Sequence, residues 1–247
     1  MGKIGKLVLK IINKLKIIHK RIFSYPSFKY DKNLEHQYWQ KRKNNNFIGV
    51  PNNFQLERAR LVSENIESDN CSLFDIGSGD GSQLVAIRNI FPKLKIFASD
   101  NDIYAYELII RNNFDCFLLG NDQEIFKLIK RYSPKYISIF EVLEHMKSPE
   151  DFLMQLLNQK KTTVFASVPN SGFLIYRIRF ILGRFPLQWI ASPNEHLRFW
   201  TFKDLKWWFK YLNLIDKVKI IPYKGIPILN KIKPNLFAEG LFIVIKN

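Results

Sequence analysis

Cysteine is almost missing from this chain. Cys71 and Cys116 are the only two, and neither lies in a CxxC pair or near a histidine at metal-ligand spacing, which excludes a zinc-finger scaffold and a disulfide framework. Both fall in apolar runs expected to be buried strands, so both read as reduced thiols. Also missing is any uninterrupted run of the ~18 to 20 apolar residues that a membrane-spanning helix needs. The N-terminus has neither the apolar stretch nor the small-residue cleavage site of a secretory signal, and a cytoplasmic setting is expected. Gly2 follows Met1, but Lys6 stands where a myristoylation motif wants Ser or Thr. Acidic residues are scarce, 22 against 38 Lys and Arg, giving a formal charge of +16. A field of that sign favours phosphates, nucleic acid or an anionic membrane surface, unless it merely accompanies the Ile, Lys, Asn and Phe bias of an AT-rich genome. A nucleic-acid module would interleave its basic residues with aromatics on one face, whereas here they are spread along the chain.

What is present begins with a helical pattern. Ile4, Leu7, Val8, Ile11, Ile12, Leu15, Ile18 and Ile22 recur at helical spacing over residues 3–23, while Lys3, Lys6, Lys10, Lys14, Lys20 and Arg21 fall mostly elsewhere on the wheel. Such a basic amphipathic helix either lies on an anionic membrane surface or packs its stripe on the domain or a second subunit. A polar link follows, with a break at Tyr25-Pro26 and a loop at Asn44-Asn45-Asn46, so residues 1–53 read as an extension and 54–247 as one large domain.

Within that domain short apolar runs alternate with helical stretches. Ser72–Asp75, Leu94–Ser99, Cys116–Leu119, Tyr136–Phe140 and Thr163–Val168 read as buried strands, each ending at Gly, Asp, Glu or Pro. Thr201–Tyr211 reads as a helix carrying Trp207-Trp208, at least one of them core, and Lys217–Tyr223 and Gly240–Ile245 read as the last strands. The alternation argues a parallel, doubly wound sheet whose ligands sit at the carboxyl ends of its strands.

The strongest local signal is Asp75-Ile76-Gly77-Ser78-Gly79-Asp80-Gly81, a strand running into a three-glycine turn and then a helix from Ser82. Glycine is needed where backbone takes positive φ or lies against a ligand. Asp100 ends the next strand, about 20 residues on, where a carboxylate can accept from both hydroxyls of an adenosine ribose. A nicotinamide site prefers GxGxxG, but position 82 is Ser and the third glycine comes one residue early. The spacing DxGxGxG resembles motif I of the class I S-adenosylmethionine methyltransferases. That resemblance implies a Rossmann-like, doubly wound, seven-stranded α/β sheet with its last strand antiparallel, and S-adenosylmethionine as cofactor. It places Asp75, Gly77, Ser78, Gly79, Gly81, Asp100, Asn101 and Glu141 at the cofactor, with Asp122 near the adenine.

Glu141-Val142-Leu143-Glu144-His145, then Val168-Pro169-Asn170 and Pro193-Asn194-Glu195-His196-Leu197-Arg198-Phe199, are similar in order and distance to a branch that includes MetW-like proteins and ubiquinone-biosynthesis O-methyltransferases. The likeness runs from about Leu73 to Tyr211. Methyl transfer to an alcohol needs a base, so His145 and His196 are the catalytic candidates. Glu141, Glu144 and His145 also offer a set suited to Mg²⁺, a minor alternative to a metal-free site. Between the fifth strand and His196, Gly172–Arg184 is apolar and basic together. It reads either as a lid whose Arg177, Arg179 and Arg184 hold an anionic acceptor, or as a surface helix. The acceptor expected is a hydroxyl on a small molecule or on a sugar or lipid-linked glycan of cell-envelope synthesis. A cofactor-binding regulator with no turnover is the alternative.

Overall fold

The computed structural model describes residues 3–25, 49–159, 162–186 and 196–247. Helix α1 (Lys3–Phe23) precedes α2 (Asn53–Ser63), and the sheet then builds as β1 (Ser72–Ile76), α3 (Ser82–Ile90), β2 (Lys95–Asp100), α4 (Ile103–Arg111), β3 (Asp115–Leu118), α5 (Asp122–Tyr132) and β4 (Tyr136–Phe140). It continues with a 3-10 turn (Leu143–His145), α6 (Pro149–Leu157), β5 (Thr163–Pro169), α7 (Leu174–Ile181), α8 (Phe202–Tyr211), β6 (Val218–Tyr223), α9 (Leu229–Ile232), α10 (Pro234–Phe237) and β7 (Gly240–Lys246). Residues 26–48 and 187–195 lie outside the described residues, and with them the expected Asn44–Asn46 loop and the Pro193–Glu195 part of the motif.

All seven strands join one sheet in the order β3-β2-β1-β4-β5-β7-β6. β1 to β5 pair in parallel, and β7 runs antiparallel to both β5 and β6, as expected. The order reverses between β1 and β4, where a crevice opens at the carboxyl edge. β1 and β4 are almost wholly buried because helices cover both faces. Helices α5, α6 and α8 pack Ile129, Phe152, Leu156, Leu205 and Phe209 on one face, and α2, α3 and α4 pack Leu61, Val62, Leu84, Ile87 and Ile109 on the other.

Local chemistry explains the boundaries. Asn52 caps α2 through the amides of Phe54 and Gln55, and Gln55 returns a bond to the Asn52 amide. Thr201 and Asp204 make the same reciprocal cap on α8, which buries Trp208 and leaves Trp207 exposed. The cysteines depart from expectation. Cys71 precedes β1 and is half-buried, and Cys116 is half-buried because β3 is an edge strand with one neighbour.

Asn170, just past β5, pins the second half of the domain. Its backbone bridges to Trp200, and its fully buried side chain donates to the carbonyls of Pro234 (3.0 Å) and Ala238 (2.7 Å) and accepts from the Gly172 amide (3.0 Å). Asn170→Ala strands the Ala238 carbonyl and the Gly172 amide, while the Pro234 carbonyl keeps the Ala238 amide, and is expected to cost about 3 kcal/mol in urea unfolding with the m-value unchanged. A loss below ~1 kcal/mol would show that this staple is dispensable.

Candidate active site

The glycine turn follows directly from β1. Gly77, Gly79 and Gly81 have φ of +72°, +58° and +75°, the left-handed region that side chains resist. Close packing adds to this at Gly77, where a Cβ would stand 2.5 Å from Cγ2 of Val142. The Gly77 and Ser78 amides both donate to the Ser99 carbonyl, stitching the turn to the end of β2. Above that stitch the Gly79 amide donates to Asp100 Oδ2 (2.8 Å), while Asp100 Oδ1 accepts from the Asp102 amide (3.0 Å). Burial pushes the Asp100 carboxyl up to about 6 against these bonds.

Two expected cofactor residues lie beneath the turn instead of facing the crevice. Asp75 is 2% exposed, and its carboxylate accepts from Ser138 Oγ on β4. Ser78 is also buried, its hydroxyl donating to the Asp75 carbonyl (3.3 Å) and accepting from the Ser99 amide (3.2 Å). Strand alternation turns Asp75 inward, so both side chains support the turn from below. Asn101 is exposed immediately beyond Asp100, and Asp122 is exposed at the first position of α5, whose cap is Asn121.

Glu141 is engaged within the protein through one of its oxygens. It follows β4 with φ of +56°, and its Oε1 meets Arg58 (3.1 Å), Ser167 Oγ (2.7 Å) and the Tyr223 hydroxyl (3.5 Å). Arg58 reaches it from α2 and is itself steadied by Gln83 Oε1 (2.8 Å). A half-exposed carboxylate paired with a buried guanidinium braces the β4 end. Arg58 escaped the sequence reading because α2 fell at the expected domain boundary; the Asn52–Gln55 capping pattern was the signal that locates that helix.

The two histidines do come together. Leu197 and Arg198 donate their amides to the Glu144 carbonyl (2.7 and 3.0 Å), which lays the His196 segment on the Leu143–His145 turn. The imidazoles of His145 and His196 stand edge-to-face, 4.7 Å between centroids. Burial first, and the neighbouring His145 second, lower His196 to about 4. Glu144 is 1% exposed, and neither of its oxygens has a hydrogen-bond partner among the described residues. Burial, reinforced by Glu141, holds its carboxyl well above the ordinary range. His145 Nε2 stands 3.9 Å from Oε1. The donor atoms that converge within 4.8 Å are those of Glu144, His145 and His196, so Glu141 drops out of the expected Mg²⁺ set.

Two of the arginines of residues 172–184 are taken up by the end of α1. Arg179 is fully buried and donates to the carbonyls of Ile22 (2.7 Å), Ser24 (3.1 Å), Arg21 (3.2 Å) and Phe185 (2.7 Å). Arg184 donates to the Phe23 carbonyl and Arg177 to the Gly172 carbonyl (2.7 Å). Free carbonyls at the end of α1 claim the first two, which removes the argument for an anionic acceptor.

A family model described as "Methyltransferase domain" matches residues 29–215. With that match over most of its length, the chain belongs to the class I, S-adenosylmethionine-dependent methyltransferases. Among solved structures, a SAM dependent methyltransferase from Archaeoglobus fulgidus superposes with a TM-score of 0.59 at 16% identity, over 85% of this chain and 99% of that one. The plantazolicin methyltransferase BpumL in complex with SAH gives 0.55 at 14% identity, over 98% and 99%. At these identities the superpositions speak for the fold alone. No curated protein matches the sequence significantly.

Asp75 offers a pH test of the buried strut. Burial raises it from 3.8 to about 6, with partial relief from Ser138 and Ser78 and a further upward push from Asp100. A carboxyl with a raised folded pKa contributes stability below its unfolded pKa that is lost as pH climbs through the folded value. Asp75→Asn is therefore expected to gain on the wild type between pH 4 and 6, by up to about 3 kcal/mol, and to hold that margin above pH 6. A difference in denaturant midpoint that does not change with pH would contradict this reading.

Proposed function

We propose that the chain methylates a hydroxyl of a small molecule, or of a sugar or lipid-linked glycan, with His196 as general base. Within the class we place it beside the MetW-like and ubiquinone-type branch, on its Glu141–His145 and His196–Phe199 segments. We keep the division at residue 53 and assign no metal.

The chain's own residues fit the cofactor. Asp100 presents a carboxylate suited to a ribose diol, and the positive-φ turn opens a close approach to backbone. At the start of α3 the hydroxyl of Ser82 is fully buried without a partner among the described residues, while the Ser82 amide donates to the buried carboxylate of Asp80 (3.1 Å). Bound at this edge, S-adenosylmethionine supplies an electrophilic methyl group.

The protein's part is alignment, exclusion of water and proton removal. The observation that carries the reading is the His145–His196 pair at the carboxyl edge. An imidazole lowered to about 4 is neutral at pH 7, with its lone pair available and its basicity reduced, so its part is to orient the acceptor hydroxyl and take the proton as transfer proceeds. His145 stands against it and flanks the acceptor side. Glu144 holds the His196 segment through its main chain and faces His145 with its side chain.

The test is a methylation assay over a panel of hydroxylated acceptors, including free and lipid-linked sugars, with wild type, His196→Ala and His145→Ala. His196→Ala is expected to lower kcat by about 10² to 10⁴ with cofactor affinity unchanged. At saturating substrates the wild-type kcat should lose its base only below about pH 5. A full kcat in His196→Ala, or an acidic limb centred near 6.5 that this variant retains, would reject His196 as the base. Tight cofactor binding with no turnover anywhere on the panel would reject the enzymatic reading in favour of a regulator.

A further inference from the structure

Helix α1 leaves the domain with described side chains exposed on both of its faces. From Lys6 to Lys20 every side chain the structure describes is exposed, including Val8 (48%), Leu15 (59%) and Ile18 (43%). The apolar and basic residues form two arcs, with Leu9 and Ile17 falling inside the basic one. The 21 residues carry seven Lys or Arg and no Asp or Glu. An apolar arc left in water needs a partner. A second copy of this helix would bring like charges together, whereas the headgroup layer of an anionic bilayer complements both arcs at once. The apolar side chains enter the acyl boundary while the lysines reach the phosphates. No helix among the described residues is long and apolar enough to cross a membrane, so α1 lies on the surface.

Its C-terminal end, in contrast, is clasped. Arg179 and Arg184 satisfy the carbonyls of residues 21 to 24, which no further turn of helix can reach. Two guanidinium groups are also the favourable charge for that end of the helix dipole. Arg21 pairs with Glu239 and lies over the Phe173 ring. Phe173 follows the carboxyl end of β5, and Glu239 precedes Gly240, which pairs with Pro169 at that same end. The clasp therefore fixes α1 to the sheet edge that carries the glycine turn, Asp100 and the two histidines.

We propose that α1 docks the enzyme on an anionic lipid bilayer and that the arginine clasp turns the active-site edge toward the membrane, so that the acceptor is taken from the bilayer surface. The statement about the acceptor rests on the function proposed above; the docking does not.

The experiment is flotation of the full-length protein with vesicles of phosphatidylglycerol and phosphatidylcholine, or of phosphatidylcholine alone, with affinity for S-adenosylhomocysteine measured in parallel. Wild type should bind only the anionic vesicles and weaken with salt. Lys6, Lys10, Lys14 and Lys16 changed to Gln should weaken binding on the order of a hundredfold or more, while the same change at exposed Lys127, Lys130, Lys203 and Lys210 should weaken it far less. Changing Val8, Ile12 and Leu15 to Ser should also release the protein. Cofactor affinity should stay constant throughout, so its loss would indict the site and not the docking. In a background lacking Cys71 and Cys116, a fluorophore at Leu197→Cys should transfer energy to headgroup-labelled lipid more strongly than one at Ser68→Cys on the opposite edge. Equal vesicle binding by the two lysine sets would overturn the docking. So would a wild-type dimer that the α1 changes dissociate without any vesicle binding, or retention on nucleic acid in place of lipid. Equal energy transfer from the two positions would overturn the orientation.

Discussion

The amide of Gly79 and the carboxylate of Asp100 meet 2.8 Å apart, across the gap between the first two strands. The bond closes the glycine turn over the carboxyl edge, and it exists only because β1 and β2 run parallel in a register that brings Ile76 beside Ser99. Burial disfavours the Asp100 charge, and the surrounding amides offset only part of that cost. A carboxylate kept under such tension is a good acceptor for hydroxyl donors that arrive later. Below it, Asp75 and Ser138 repeat the arrangement as a strut joining β1 to β4. The two strand ends thus carry two buried carboxylates with similar shifts, told apart by which way the strand turns them.

The second half of the site depends on main-chain bonds. Glu144 receives Leu197 and Arg198 at its carbonyl, and Asn170 holds the end of β5 to the segment before β7. These contacts bring a histidine from beyond α7 onto the turn after β4. The pair of imidazoles results from loop docking, which explains how residues 51 positions apart come to share one edge of the sheet.

Much of this was legible in the residues themselves. The apolar runs of β1, β4 and β5 are bounded by polar or glycine residues, and parallel strands buried on both faces must look like that. The positive-φ turn announced itself by three glycines. The direction of individual side chains was not legible. Asp75 and Asp100 both end strand-like runs, and only the pleat decides which faces the crevice. Arg179 sits among apolar residues much as a ligand-binding arginine would. Its actual partners are carbonyls some 155 positions away, which no local pattern encodes. Glu141 reads as a cofactor contact, and nothing near it in the sequence announces Arg58 beside it, from a helix placed at a domain boundary.

The most direct test of the central claim is isothermal titration of S-adenosylmethionine and S-adenosylhomocysteine into wild type, Gly79→Arg and Asp100→Ala. The account predicts micromolar binding by the wild type and its loss in both variants, since one fills the turn and the other removes the ribose acceptor. Binding that survives both changes would put the cofactor elsewhere. No binding by the wild type would contradict the assignment of this edge as a cofactor site.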